Sequence, residues 1–255
     1  MNKDDFKWLI LPGNPIIHRG MLSKSCVEHG RGSFQACVDQ HLSMEVDLMM
    51  LKDQTVVVWR DEIVDTTGRP LSSLSLPEIR AIAQDNPTSR FGQLMTLNEF
   101  ISLVDGKSGV VFEIKIPYGE SPDLMVDSVL SILSVYRGNF VIHSSNPYVL
   151  HRIRTVCPDI PIGQISLSFK WIPNVDPEYV RLHREFLFAD IVMPDFLDYD
   201  IRDLAEEGTR NRVLTFCREH ELPLVTWAIR TAKEEAIARK YCSNYIIEGT
   251  TSFMD

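Results

Sequence analysis

Nine short, largely apolar segments recur along the 255 residues of this chain, with helix-patterned segments between most of them, and that alternation limits the fold more than any other feature. The strand-like segments are 16–17, 43–49, 55–59, 109–115, 140–144, 162–165, 191–193, 223–227 and 245–247. Most read as strands buried on both faces, the habit of a parallel sheet covered by helices. Helical patterns occupy 32–41, 76–85, 97–104, 123–136, 147–156, 177–186, 202–220 and 231–241. Ser75 ahead of Leu76-Pro77-Glu78 and Thr96 ahead of Leu97-Asn98-Glu99 are helix starts, where a hydroxyl caps and Pro or Glu suits the first turn. One pair breaks the rhythm: 43–49 and 55–59, joined by Leu51-Lys52-Asp53-Gln54, form an antiparallel hairpin. Without its second arm eight strands remain, the number that closes a barrel. The expected fold is therefore α/β, a (β/α)8 barrel with a β-hairpin inserted after the second strand, in a single domain spanning 1–255.

A net charge of -9, with 26 scattered basic residues, argues against a nucleic-acid partner, because phosphate backbones are bound through clustered Lys and Arg. The apolar run Trp8 to Leu11 lies behind acidic residues and is too short for a signal-peptide core or a bilayer span, so a cytoplasmic protein without membrane insertion is expected. Five cysteines, Cys26, Cys37, Cys157, Cys217 and Cys242, lack metal-knuckle spacing and are expected to act as small hydrophobes. The aromatic run Phe186, Phe188, Phe196 and Tyr199 is assigned to core packing.

The residues that can do chemistry sit on one strand face and at the ends of other apolar strands. Glu45 and Asp47, one residue apart on a strand, share a face and suit a divalent cation, although such a pair alone is more often a solvated strand face. Ile16-Ile17 runs into His18-Arg19-Gly20, which supplies a proton carrier, an anion clamp and a residue that permits close approach. Val110-Val111-Phe112 runs into Glu113-Ile114-Lys115. Buried ionisable groups are costly unless paired or metal-bound, so three such motifs in a barrel pattern point to one site.

These motifs also carry a resemblance. His18-Arg19-Gly20, Glu28 with Ser33-Phe34, Met44-Glu45-Val46-Asp47, Val57-Val58 with Asp61-Glu62, Thr66-Thr67-Gly68, Leu74 to Ile79, Met95 to Phe100, Glu113-Ile114-Lys115, Ser144 with Asn146-Pro147, Val225-Thr226-Trp227 and Tyr245-Ile246-Ile247 follow the order and approximate spacing of the glycerophosphodiester phosphodiesterase family. The resemblance covers nearly the whole chain and is most specific in its first third. It implies a (β/α)8 barrel that hydrolyses a small-molecule phosphodiester with one divalent cation, Mg2+ or Ca2+. It further implies Glu45, Asp47 and Glu113 as metal ligands, His18 in proton transfer or attack, Arg19 and Lys115 on the phosphate, and Trp227 lining the pocket. An all-oxygen ligand set would favour a hard cation.

The chain departs from the family's pattern at Arg60, where members carry a second catalytic histidine before the aspartate. An arginine, with a pKa above about 12, binds a phosphate oxygen well but gives up no proton near neutral pH. Three accounts follow. Another residue, His143 or His29, supplies the proton or none is needed; Arg60 serves a specialised substrate; or the barrel binds a phosphorylated ligand without turnover. His29, Ser145, Ala228 and Glu248-Gly249 are further departures, all expected at the pocket rim. They favour an altered substrate such as a sugar phosphodiester, for instance an opine of the agrocinopine type. His143, beside Ser144 at a strand end, is also expected to touch the substrate.

Overall fold

The computed structural model describes residues 3–11, 13–64, 68–86, 90–116 and 120–250. Among them ten strands form one sheet: β1 (Ile16–Leu22), β2 (Met44–Met50), β3 (Val56–Val58), β4 (Met95–Thr96), β5 (Val110–Ile114), β6 (Phe140–Ser144), β7 (Ile162–Ser166), β8 (Phe196–Asp200), β9 (Leu224–Ile229) and β10 (Asn244–Thr250). β1 pairs in parallel with both β10 and β2, which closes β1, β2 and β5 to β10 into an eight-stranded parallel barrel. Helices fill the connections, so the fold is the (β/α)8 barrel the alternation predicts.

The barrel has an outer and an inner face, and the period of two sorts residues between them. Met44, Val46 and Leu48 of β2 and Val110, Phe112 and Ile114 of β5 face outward into the main core beneath the helices. There the rings of Phe34, Phe100, Phe112 and Phe140 meet in sequence at centroid distances of 4.8, 6.0 and 5.9 Å. Inside the barrel Ile16, Val111, Val141, Phe196, Val225 and Ile246 form an apolar floor, which Leu9 of the 3-10 helix Lys3–Ile10 closes from below. Gly163 makes room for that floor, since a Cβ there would lie 2.1 Å from the Phe196 ring. Two residues beyond each floor position, on the same face, stand His18, Glu113, His143, Asp198, Trp227 and Glu248. The floor is apolar and the layer above it is polar.

The inserted hairpin is present: β2 and β3 pair antiparallel with Leu48 opposite Val58 and Met50 opposite Val56. β3 then pairs antiparallel with the two-residue β4. This segment has its own apolar cluster of Leu51, Val57, Trp59, Leu71, Leu74, Ile79, Phe91 and Leu94. Both helix starts read from the sequence carry capping boxes, Ser75 with Glu78 and Thr96 with Glu99.

Two expectations are corrected. The strand expected at 191–193 is the end of a short helix, Phe188–Ile191, and its exit; the barrel strand is β8, Phe196–Asp200. The helix expected over 202–220 is two helices, Ile201–Leu204 and Glu207–Glu219, and the Asp200 side chain starts the first by accepting from the Arg202 backbone. Phe188, Phe196 and Tyr199 are fully buried and Phe186 stacks on Phe216 at 4.3 Å, so the aromatic run packs the core as expected. No helix of the described residues is long and apolar enough to cross a membrane. Thr66 and Thr67 lie outside the described residues.

Candidate active site

Simple strand alternation would send His18 into the barrel and Arg19 out of it. Instead Arg19 and Gly20 take φ angles of 58° and 85°, and the pairing of β1 with β10 shifts register between His18 and Leu22. This left-handed pair turns the guanidinium inward beside the imidazole. Only glycine fits the second position, because its φ is 85° and a Cβ at Gly20 would lie 2.7 Å from Ser33 Oγ; the Gly20 carbonyl in turn requires glycine at 249, where a Cβ would lie 2.1 Å from it. A strained backbone of this kind, tied at one end by the His29 amide donating to the Arg19 carbonyl, is common at functional sites.

Arg19 Nε donates to Asp47 Oδ2 at 2.8 Å, His29 Nε2 lies 3.1 Å from the same oxygen, and Lys115 Nζ lies 3.0 Å from Asp47 Oδ1. Asp47 is fully buried; burial pushes its carboxyl up, but Lys115, His29 and Arg19 outweigh that and hold it well below the usual carboxylate range. Lys115 also donates to Glu113 Oε1 at 2.6 Å, an arrangement set by the register that puts Asp47 opposite Glu113. Burial, reinforced by Asp47, raises Glu113 despite that lysine.

Glu45 is different. It is 2 % exposed, yet neither of its oxygens accepts a hydrogen bond among the described residues. Its neighbours are imidazoles, with His18 Nε2 at 3.7 Å from Oε2 and His143 Nε2 at 4.0 Å from Oε1. Burial and Asp47 push the Glu45 carboxyl up, but His143, His18 and Arg19 bring it below its ordinary value. A buried carboxylate without donors is expensive, and a divalent cation would satisfy it. Donor atoms of Glu45, Glu113 and His143 all lie within 4.8 Å of one another, so the residues fit an ion.

Each imidazole has a carboxylate behind it. His18 Nδ1 lies 3.2 Å from Glu248 Oε2, and Arg230 holds the other oxygen of Glu248 at 2.8 Å. His143 Nδ1 lies 3.0 Å from Asp198 Oδ2, and both side chains are buried. Burial disfavours charge on His143, but Asp198, Glu45 and Glu113 outweigh it and push its pKa up to about 10.

These groups open into a cavity of about 560 Å3 at the C-terminal mouth of the barrel. Of the residues named from the sequence, His18, Arg19, Glu45, Arg60, Glu113, Lys115, His143 and Trp227 line it. Asp47 and His29 do not; they stand behind Arg19 and Lys115. Arg60 follows β3 at the rim, exposed, and forms no ion pair among the described residues, whereas its neighbour Asp61 pairs with Arg90 at 2.8 Å. Glu248 and Ala228, expected at the rim as departures from the family's pattern, also line the cavity; Asp198, Asp200, Arg202 and Arg230 carry no such mark in the sequence, and an apolar residue followed two places later by a polar one, as in Phe196-Leu197-Asp198, is the signal for the inward-facing acid among them.

A sequence model of the Glycerophosphoryl diester phosphodiesterase family matches residues 18–247. No curated protein matches the chain at a significant level. Solved structures do. A glycerophosphodiester phosphodiesterase from Thermotoga maritima superposes with a TM-score of 0.69 at 19% identity, covering 92% of this chain and 94% of its own. One from Parabacteroides distasonis gives 0.69 at 15%, with 92% of each chain covered. A phosphodiesterase from Oleispira antarctica, solved in complex with the product sn-glycerol-3-phosphate, gives 0.68 at 17%, covering 95% and 94%. At these identities the structural likeness speaks for the barrel alone.

Proposed function

The chain belongs to the glycerophosphoryl diester phosphodiesterase family, whose members are phosphoric diester hydrolases, and from that premise we propose that it cleaves a glycerophosphodiester or a sugar phosphodiester, such as an opine of the agrocinopine type, to a phosphomonoester and an alcohol. The observation that carries this reading is the meeting of an acidic cluster, an oriented imidazole and several fixed cations in one cavity at the barrel mouth. The polar far wall, with Asp200, Arg202, Arg230 and Glu248, supplies hydrogen-bonding groups for a hydroxyl-rich alcohol.

In this reading Glu45 and Glu113 hold a divalent cation, Mg2+ or Ca2+ if carboxylates are its only protein donors, whose chemistry is to screen the phosphate charge and polarise a P–O bond. Asp47 holds Arg19 and Lys115 in place, and those two with Arg60 bind the phosphate oxygens and stabilise charge that grows in the transition state. His18 takes the proton of the attacking water at Nε2 and returns it to the departing alkoxide, while Glu248, 3.2 Å from Nδ1, orients the ring. Arg60 contributes charge and no proton. Trp227 forms an apolar part of the wall.

Incubating the purified chain with a panel of glycerol and sugar phosphodiesters, with and without chelator, tests this. Release of a phosphomonoester that stops on chelation supports it. Binding of the same compounds without chelator-sensitive turnover would instead identify a barrel that holds a phosphorylated ligand and leaves it intact.

A further inference from the structure

A buried histidine whose one nitrogen is tied to a carboxylate presents its other nitrogen in a fixed direction. His143 does this at the heart of the cavity. Its Nδ1 meets Asp198 Oδ2 at 3.0 Å, and its Nε2 has no hydrogen-bond partner among the described residues. That nitrogen faces Glu45 Oε1 at 4.0 Å, too far for a hydrogen bond, and the Glu45 oxygens are equally without donors. All three parts are buried: His143 and Glu45 are each 2 % exposed and Asp198 0 %. Two buried polar atoms that face each other without a hydrogen bond leave room for an ion between them, which would take the place of the Nε2 proton.

We propose that His143 Nε2 is a ligand of the divalent cation together with Glu45 and Glu113, and that this nitrogen makes the site select a transition ion such as Mn2+, Co2+ or Zn2+ over Mg2+ or Ca2+. The proposal rests on the reading above that the cavity holds a cation. It changes the donor set. Asp47, whose oxygens are engaged by Arg19, His29 and Lys115, is the poorer ligand of the acidic group. The three donors lie within 4.8 Å of one another, and bonds of about 2.0–2.2 Å to a common ion place donors about 3–4 Å apart, so the side chains need move only slightly. The carboxylate behind the ring is the arrangement that fixes the tautomer and raises the basicity of a metal-bound imidazole. Nitrogen donors favour transition ions over the alkaline earths.

The test uses the full chain stripped of metal, with Co2+ and Mn2+ as probes. Titration with Co2+ is expected to give a visible absorption spectrum, and His143→Gln is expected to weaken Co2+ binding by about tenfold to a hundredfold and change that spectrum, while changing Mg2+ binding less than about threefold. Asp198→Asn is expected to weaken Co2+ binding in the same direction. Should His143→Gln fail to fold, pulsed electron paramagnetic resonance of the Mn2+-loaded wild-type and His18→Gln proteins decides the matter. A directly bound nitrogen detected in both supports His143 as the ligand; its absence from either overturns the proposal. Unchanged Co2+ affinity and spectrum in His143→Gln would also overturn it, while leaving the cation itself in place. Failure of the wild-type protein to bind any of these ions would remove the cation from the functional reading, and this proposal with it.

Discussion

Glu248 and His18 are register partners on adjacent strands, and Glu248 Oε2 lies 3.2 Å from His18 Nδ1. Burial pushes the Glu248 carboxyl up, but His18, Arg230 and Arg19 outweigh it and hold it down at about 2, so it is ionised at every pH at which the protein would be assayed. An anion there holds the Nδ1 edge of the ring and leaves Nε2 facing Glu45, 3.7 Å away, and the cavity. Glu248→Gln is expected to lower kcat about a hundredfold or more with KM changed less than about threefold. Steady-state kinetics on a cleaved diester, beside circular dichroism to confirm folding, checks it; an unchanged kcat would remove Glu248 from the site's work.

Arg60 has an exposed charge without an ion-pair partner among the described residues, so its contact with an anionic substrate is made on binding. Arg60→Ala is expected to raise KM about tenfold, the low end for a hydrogen bond to a charged group at a wet site, with kcat changed much less. The KM of the wild-type protein should rise with ionic strength more steeply than that of the variant. Arg60→His should behave like the alanine variant on the cognate diester. A gain in kcat from histidine would show that a proton donor, and not a charge, is what that position lacks.

Cation binding to the folded chain alone raises its stability by mass action. At a hundredfold excess over Kd the gain is about 2.7 kcal/mol, which for a chain of this size is a rise in Tm of at least about 5 °C. Chelator-treated protein is expected to show that rise on adding a divalent cation, and Glu45→Gln to lose it. Thermal melts followed by fluorescence read it out directly. Equal shifts in the two proteins would locate the ion elsewhere.

His183 supplies a pH dependence away from the cavity. Its ring is enclosed by Phe169, Tyr179 and Phe188, with Ser166 Oγ 3.1 Å from Nδ1. Burial lowers its pKa from 6.5 to about 3. In the unfolded chain the ring takes a proton below about 6.5, so between those values the unfolded state binds more protons and stability falls as the pH drops. This contribution is fully present above about pH 6.5 and diminishes toward pH 3, by an amount on the order of several kcal/mol at about 1.4 kcal/mol per pKa unit. Urea unfolding of wild type and His183→Gln at pH 7.5 and pH 4.5 tests it. The variant is expected to lose less stability between the two; equal losses would refute the assignment.

Much of the barrel could be read from the chain because most of its strands are apolar on both faces. The strand that was misplaced is instructive. Ile191-Val192-Met193 has the composition of a buried strand, whereas β8 carries Asp198 and Asp200, which strand preferences disfavour. Those acids are tolerated because they face the mouth of the barrel, where polar side chains belong. Misplacing that strand also hid the partner of His143. The motif residues His18, Arg19, Glu113 and Lys115 are legible because each follows an apolar run, and Glu45 because it shares a strand face with Asp47. Glu248 was visible only as a departure from the family's pattern, since its partner is some 230 positions away in the chain and is brought beside it by closure of the sheet. The two-residue β4 is too short to carry any periodic signal.

The apolar floor beneath the cavity, with Leu9 fully buried under Ile16, Phe196 and Ile246, has a consequence for traffic. A sealed base makes the barrel a blind well. Whatever enters must leave through the same opening, so the spent phosphomonoester competes with the next diester for one doorway. Accumulating product should therefore slow the protein as a competitive inhibitor, and residues around the rim, Arg60 among them, become the threshold over which departure is governed.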